Sequence, residues 1–151
     1  MDNRKSIQDK VLGTITWDIS DSCWIFGLRF PSGQTVSGTI LCEDPAAPLE
    51  SQGLSVISDR MDWLIDNELR IRDHITEKLF DLWRSNWCDE ESGAAINKPR
   101  FRDMIVLSEL NVDEDFWVSL YYNDRDLFCG HAIVQDIQPD GTLHKEPYLF
   151  G

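Results

Sequence analysis

The sequence predicts an α+β fold, in which an antiparallel sheet carries two or three central helices on one face. β-branched and aromatic residues alternate with polar ones in the first and last thirds of the chain, as they do in strands. Between these regions, apolar residues recur at spacings of three and four, which is typical of amphipathic helices. The length of 151 residues fits a single domain over residues 1–151.

The N-terminal third is predicted to form a three-stranded antiparallel meander over Val11–Leu41. Within Cys23–Phe30 the two-residue period of a strand places large side chains on one face: Trp24, Phe26, Leu28 and Phe30. A tight turn is expected at Pro31–Gly33, because proline presets φ and glycine accepts a positive φ. The polar residues 1–10 are expected to form a flexible N-terminus without the apolar run of a signal peptide.

The middle third is predicted to be helical. Two apolar stripes follow the helical period, one of Leu54, Ile57, Met61, Leu64 and Ile65 and one of Ile71, Ile75, Leu79 and Leu82. Asn67 caps a second helix in one interpretation, and in the other both stripes belong to one bent helix. A further short helix is expected to begin at Asn97–Pro99, since proline is tolerated in the first turn of a helix.

The last third is predicted to return to strands and to form a meander of three to four strands. Turn-forming residues separate four strand candidates: Val106–Val112, Phe116–Tyr122, Leu127–Ile137 and Thr142–Phe150. Because strands of this kind follow one another through short connections, we expect them to pair antiparallel.

The charge of the chain restricts its partners. The sequence has 27 acidic and 14 basic residues, a formal net charge of −13. Such a surface repels nucleic acid phosphates and anionic lipids, so neither nucleic acid nor membrane is expected as a partner, and it attracts cationic proteins. No apolar run approaches the length of a membrane span, and the four cysteines are scattered without metal-ligand spacing. We therefore predict a cytoplasmic protein with reduced cysteines and without a metal or other cofactor.

Clusters of carboxylates are the candidate partner contacts. Acidic side chains on protruding turns meet lysine and arginine readily, although they are equally typical of solvated loops. The residues predicted to contact a partner are Asp89, Glu90, Glu91, Asp113, Glu114, Asp115, Asp124 and Asp126.

Catalysis is the alternative interpretation of the segment around His131. Asp124 or Asp126 could orient this histidine as a general base, and Cys129 would share its face on a strand. Nothing in the sequence supplies an oxyanion site, so we predict that Phe128, Gly130 and His131 form a structural motif and that no residue is catalytic. A small enzyme with a pocket at His131 and a regulatory scaffold remain the alternatives.

Two segments carry a resemblance to a known group of proteins. The chain reads LGTITWD at residues 12–18 and DLFCGHAI at residues 126–133, and it ends in glycine. This pattern resembles small bacterial domains of unknown function that share a closing D-x-D-L-F-x-G-H-x-I segment. Arg125 stands where the group often has glycine, and Cys129 where it often has an aromatic residue, which suits a structural motif better than a catalytic one.

The resemblance implies a role in competition between bacteria. Members of this group look like candidates for immunity proteins, which neutralise polymorphic toxins. It therefore implies a non-catalytic binder that occludes the active site of a cognate toxin with a basic surface. An exposed sheet edge or an apolar patch could also support a homodimer, although nothing in the sequence requires one.

Overall fold

A computed structural model describes residues 5–42, 49, 53–88 and 96–151. Within these residues the chain forms eight strands and two helices, which confirms the α+β class. The strands are β1 (Ser6–Asp9), β2 (Gly13–Asp18), β3 (Cys23–Arg29), β4 (Thr35–Leu41), β5 (Val106–Val112), β6 (Val118–Asn123), β7 (Ala132–Ile137) and β8 (Tyr148–Phe150). The helices are α1 (Leu54–Asn86) and α2 (Lys98–Met104).

All eight strands belong to one mixed sheet, in which their spatial order equals their order along the chain. Neighbouring strands are antiparallel except β4 and β5, which are parallel. The prediction of a wholly antiparallel sheet is therefore wrong at this junction, and the two meanders form one sheet. The physical reason is the helical connection, because it carries the chain across the sheet so that β5 starts in the direction of β4.

Part of the segment predicted to be a flexible N-terminus is instead the edge strand β1. Ile7 pairs with Ile15 of β2. The carboxylate of Asp9 accepts hydrogen bonds from the backbone N–H groups of Val11 and Leu12, and the hydroxyl of Ser58 in α1 donates to it at 2.9 Å. These contacts hold a polar segment in the sheet, although its composition alone suggests disorder.

The two apolar stripes of the middle region belong to one continuous helix of 33 residues. Asn67 does not cap a second helix, since its side-chain amide donates to the carbonyl of Trp63 one turn earlier. The single-helix interpretation is thus the correct one. The start of α2 is confirmed as predicted, because the side chain of Asn97 accepts from the N–H of Arg100 at 3.0 Å.

The core lies between the helices and one face of the sheet. Trp24, Phe26 and Leu28 point into it, as their alternation predicts. The predicted strand Leu127–Ile137 is shorter in the structure, because residues 125–130 form turns and β7 begins only at Ala132. The last predicted strand is reduced to β8 and an isolated pairing of Leu143 with Ile137.

Candidate functional site

The segment singled out from the sequence forms a closed loop around the carboxylate of Asp124. This side chain is buried, and its two oxygens accept from the N–H groups of Asp126 at 2.9 Å and Phe128 at 2.7 Å. Four residues of the loop have positive φ angles: Arg125, Asp126, Cys129 and Gly130. Asp124 therefore stabilises a conformation that side-chain-bearing residues rarely adopt, and its oxygens face the backbone rather than a partner.

Aromatic contacts fasten this loop to the helices. The ring of Phe128 is fully buried and lies 5.5 Å from the ring of Trp87 and 6.2 Å from that of Phe101. His131 lies with Nδ1 2.6 Å from the carbonyl oxygen of Phe128 and with its ring 5.7 Å from Trp87. This arrangement fastens the end of α1, through Trp87, and α2, through Phe101, to the loop that precedes β7.

The structure does not assemble the catalytic arrangement considered above. In the described part of the chain, no hydrogen bond links His131 to Asp124 or Asp126. Cys129 lies exposed in the turn, so the expectation that it shares a strand face with His131 is wrong. The reason is the series of positive φ angles, which breaks the two-residue alternation of a strand.

The remaining residues predicted to contact a partner lie in different surroundings. Asp89, Glu90 and Glu91 lie outside the described residues. Asp113 shapes the turn between β5 and β6, since its carboxylate accepts from the N–H groups of Asp115 and Trp117, each at 2.9 Å. Glu114, Asp115 and Asp126 are exposed at the surface.

The most extensive surface that the sequence did not reveal is the face of the sheet opposite the helices, here called the open face. Strand pairing aligns its side chains in two rows that cross the sheet. One row contains Thr16, Ile25, Thr39, Asn111, Ser119 and Asp136. The other contains Gly27, Ser37, Glu109, Tyr121, Val134 and Tyr148. The two charged residues in these rows, Glu109 and Asp136, are both acidic.

Hydrogen bonds between strands order the polar side chains of the open face. The hydroxyl of Thr39 donates to Asn111 Oδ1 at 2.6 Å, and Asn111 Nδ2 donates to the phenolic oxygen of Tyr121 at 3.4 Å. The hydroxyl of Ser119 donates to Asp136 Oδ1 at 2.8 Å. Because these side chains are already held in place, a partner that binds them loses less conformational entropy on binding.

At the C-terminal end of the open face, three aromatic side chains and a carboxylate lie on three neighbouring strands. We call Tyr121, Asp136, Tyr148 and Phe150 the aromatic–acidic patch. The rings of Tyr121 and Phe150 lie 6.1 Å apart at an interplanar angle of 79°. Tyr148 is 44% exposed and Phe150 59% exposed, and adjacent exposed apolar groups of this kind are typical of interaction surfaces.

The carboxylate and the rings of the aromatic–acidic patch are close enough to interact electrostatically. The pKa of the Tyr148 phenol is raised, first by partial burial and then by the negative charges of Asp136 and of Tyr121 when it is ionised. The negative potential that disfavours a phenolate here favours a bound cation. The alternation of Tyr148 with Phe150 hints at this patch in the sequence, but Tyr121 and Asp136 join it only through strand pairing.

The N-terminal half of the open face has a different character. A shallow cavity of about 720 Å³ lies over β2, β3 and β4, and its lining includes Thr16, Ile25, Gly27 and Ser37. Ile19, 82% exposed, stands beside it in the turn between β2 and β3. Most of the lining side chains are small and uncharged, and among the described residues the one charged side chain in the lining is the carboxylate of Asp18.

The described residues form neither a metal-binding cluster nor a helix suited to cross a membrane. Among them, no group of three or more His, Cys, Asp or Glu side chains is arranged to hold a metal ion. None of the helices formed by these residues combines the length and the apolar character needed to cross a membrane.

The fold and the open face define an α+β domain whose helices cover a single side of a mixed sheet. The chain belongs to DUF2262, a family described as an uncharacterised protein conserved in bacteria, whose family model matches residues 9–146. This match confirms the resemblance to a bacterial domain of unknown function. Neither the curated proteins nor the solved structures contain a significant match.

Proposed function

We propose that the protein is a non-catalytic protein-binding module, an immunity protein that neutralises a cognate toxin in the bacterial cytoplasm by occluding the toxin's active site. The observation that carries this proposal is the open face with its aromatic–acidic patch. A surface that bears exposed aromatic rings, ordered polar groups and carboxylates has the composition expected of a protein interface.

The dimensions of the open face suit an occluding interface. Eight strands at about 4.8 Å spacing give a width of roughly 34 Å, and six residues of strand give a length of about 20 Å. The resulting area approaches the roughly 800 Å² that each partner buries in a stable complex. A face of this size is wide enough to cover the substrate groove of an enzyme.

Charge complementarity supports a basic partner. The net charge is −13, and the charged side chains in the two rows of the open face are the carboxylates of Glu109 and Asp136. A toxin that binds nucleic acid presents a basic surface, which this negative field attracts. The enzyme alternative has no comparable support, because the carboxylate of Asp124 is bonded to its own loop.

The decisive experiment is co-expression with the toxin encoded by the adjacent reading frame, scored for rescue of growth and for co-purification. We expect rescue and a one-to-one complex. The variant Ser37→Arg places a large cation at the exposed centre of the open face and is expected to weaken toxin binding at least about tenfold.

Ser55→Arg is the matched control, since Ser55 is an exposed serine of α1, in the helical layer. This variant should rescue growth as well as the unaltered protein does. The proposed function is wrong if the unaltered protein neither rescues growth nor co-purifies with the toxin at low salt. Docking through the open face is wrong if Ser37→Arg and Ser55→Arg protect equally well.

A further inference from the structure

We infer that the aromatic–acidic patch is a receptor for an arginine side chain of the partner, with the guanidinium packed against the tyrosine rings and paired with the carboxylate of Asp136. Only the identity of the protein that supplies this arginine rests on the proposed function. The recognition chemistry rests on the geometry of β6, β7 and β8.

Strand pairing brings the two tyrosines of the patch to either side of one residue of β7. Val134 on β7 pairs with Tyr121 on β6 and with Tyr148 on β8. Val134 is fully buried although it lies on the open face, so the side chains around it cover it. A partner therefore meets the exposed aromatic side chains of the patch, and not a slot between them.

The two ends of the patch differ chemically. Phe150 is paired with Ala132 and its ring contacts that of Tyr121 edge-on, so one end of the patch is apolar. Asp136 lies two residues beyond Val134 on the same face of β7, at the opposite end. A side chain lying across the patch therefore meets aromatic surface along its length and a carboxylate at its tip.

The carboxylate of Asp136 is poised for a charged donor. Ser119 donates to Oδ1, which holds the group in place, and Oδ2 has no hydrogen-bond donor in the part of the chain that the structure describes. No lysine or arginine among the described residues forms an ion pair with Asp136. The patch therefore combines an ordered negative charge with aromatic faces that no cation of the described chain occupies.

Arginine fits this combination better than lysine or a nucleobase does. The guanidinium is planar, packs on aromatic faces and donates two parallel hydrogen bonds to a carboxylate, whereas the ammonium of lysine is a strongly hydrated point charge. A nucleotide would also stack on tyrosine, but its phosphate would be repelled by Glu109 and Asp136.

The test is a titration of the isotopically labelled full chain with N-acetyl-arginine amide, followed by the backbone amide NMR signals. We expect weak saturable binding with shifts confined to β6, β7 and β8. The neutral isostere N-acetyl-citrulline amide is expected to bind about fivefold more weakly, because it cannot form the charge-assisted hydrogen bonds. N-acetyl-lysine amide and cytidine monophosphate should also bind more weakly than the arginine derivative.

Asp136→Asn tests the carboxylate itself, because asparagine retains an oxygen that accepts from Ser119. This variant should bind the arginine derivative about fivefold more weakly. Asp62→Asn removes the same charge from an exposed position on α1 and should leave the affinity unchanged. Should Asp136→Asn fail to fold, the comparison of arginine with citrulline in the unaltered protein decides the matter.

Equal binding of the arginine and citrulline derivatives, or shifts located elsewhere, would overturn the arginine site. Tighter binding of the lysine derivative or of cytidine monophosphate would overturn it as well. Failure of this inference is distinguishable from failure of the proposed function. If Asp136→Asn binds the toxin with unchanged affinity, only the arginine site is wrong, whereas arginine binding without any toxin complex leaves the site intact and refutes the immunity role.

Discussion

At the scale of single residues, a buried polar cluster connects α1 to the sheet. Glu68 is only 8% exposed, and Arg72 donates two hydrogen bonds to it, at 3.1 Å from Nε and 2.8 Å from Nη2. The hydroxyl of Tyr122 on β6 donates to Glu68 at 3.1 Å. Because a buried carboxylate is costly unless it is paired and hydrogen-bonded, this cluster determines where the middle of α1 crosses the sheet.

The cluster makes stability depend on pH in the alkaline range. The pKa of Tyr122 is raised well above 10.0, first by burial and then by the charge and hydrogen bond of Glu68. The unfolded chain therefore loses this proton first as the pH rises past 10.0, and the stabilisation is present below that pH and lost above it. At pH 7 we expect the free energy of unfolding to be about 1 kcal/mol higher for the unaltered protein than for Tyr122→Phe. Above pH 10.0 this difference should fall by up to about 1.4 kcal/mol for each further pH unit.

Urea unfolding from pH 7 to pH 11 measures this dependence. Tyr121→Phe is the matched control, because Tyr121 lies on the open face and is only half-buried. Tyr121 has no contact with Glu68 among the hydrogen bonds of the described residues, so its difference from the unaltered protein should change less over the same range than that of Tyr122→Phe. A Tyr122→Phe difference that is the same at pH 7 and at pH 11 would contradict the role assigned to burial and to Glu68.

At the scale of elements, the start of α1 is fitted against the turn between β5 and β6. Gly53 precedes the helix with a φ of 95°, in the left-handed region that favours glycine. A Cβ atom on Gly53 would lie 2.5 Å from the ring of Phe116, which has itself a φ of 67°. The helix therefore begins where the backbone of Gly53 can pass beneath the Phe116 ring.

Gly53→Ala is expected to lower the free energy of unfolding by about 3 kcal/mol, because backbone strain adds to a clash with the Phe116 ring. Gly13→Ala separates the two causes, since Gly13 has a φ of 70° but no atom within 4 Å of the added methyl group. We expect it to cost only about 1 kcal/mol, from strain alone. Equal losses for the two variants in urea unfolding would show that the contact with Phe116 carries no energy.

Some elements follow from the local sequence and others do not. The cap at Asn97 and the strand Val106–Val112 follow from the sequence because each depends on neighbours a few residues away. The stripes of α1 left one helix or two open, since an asparagine such as Asn67 can cap a helix or lie inside one. Its bond to Trp63 settles the matter. The sequence predicts the turn before Leu127 and a strand from Leu127 onward, but the turn continues to residue 130. Leu127 and Phe128 are apolar because they anchor this turn in the core, and not because they belong to a strand.

At the scale of the whole molecule, the proposed binding follows from two properties. The chain has a large negative charge, and its helices cover only one face of the sheet, which leaves the open face for a partner. The negative field of a chain with a net charge of −13 acts beyond contact distance, and salt screens it. The uncovered face supplies the short-range contacts that determine how long a complex lasts. The two effects are separable in kinetics, because the long-range field acts on association and the close contacts act on dissociation.

We therefore expect the association rate with the toxin to fall at least about tenfold between roughly 50 and 500 mM salt, while the dissociation rate changes little. Surface-based kinetic measurements at four or more salt concentrations would test this. The control variant Asp62→Asn loses one negative charge from α1, on the other side of the sheet from the open face. Its dissociation rate from the toxin should be nearly the same as that of the unaltered protein. An association rate that does not depend on salt would refute the electrostatic part of the proposal.

The sequence by itself determined the class of the fold, the apolar face of β3 and the acidity that favours a basic partner, because these properties depend on composition and on spacings of a few residues. The tertiary structure alone decided that β4 and β5 are parallel and that Tyr121, Asp136, Tyr148 and Phe150 form one patch. The sheet brings together residues that lie far apart in the chain, 29 positions for Tyr121 and Phe150 and 72 positions for Thr39 and Asn111. The strand register is set by the packing of the whole core, and a local pattern does not contain it.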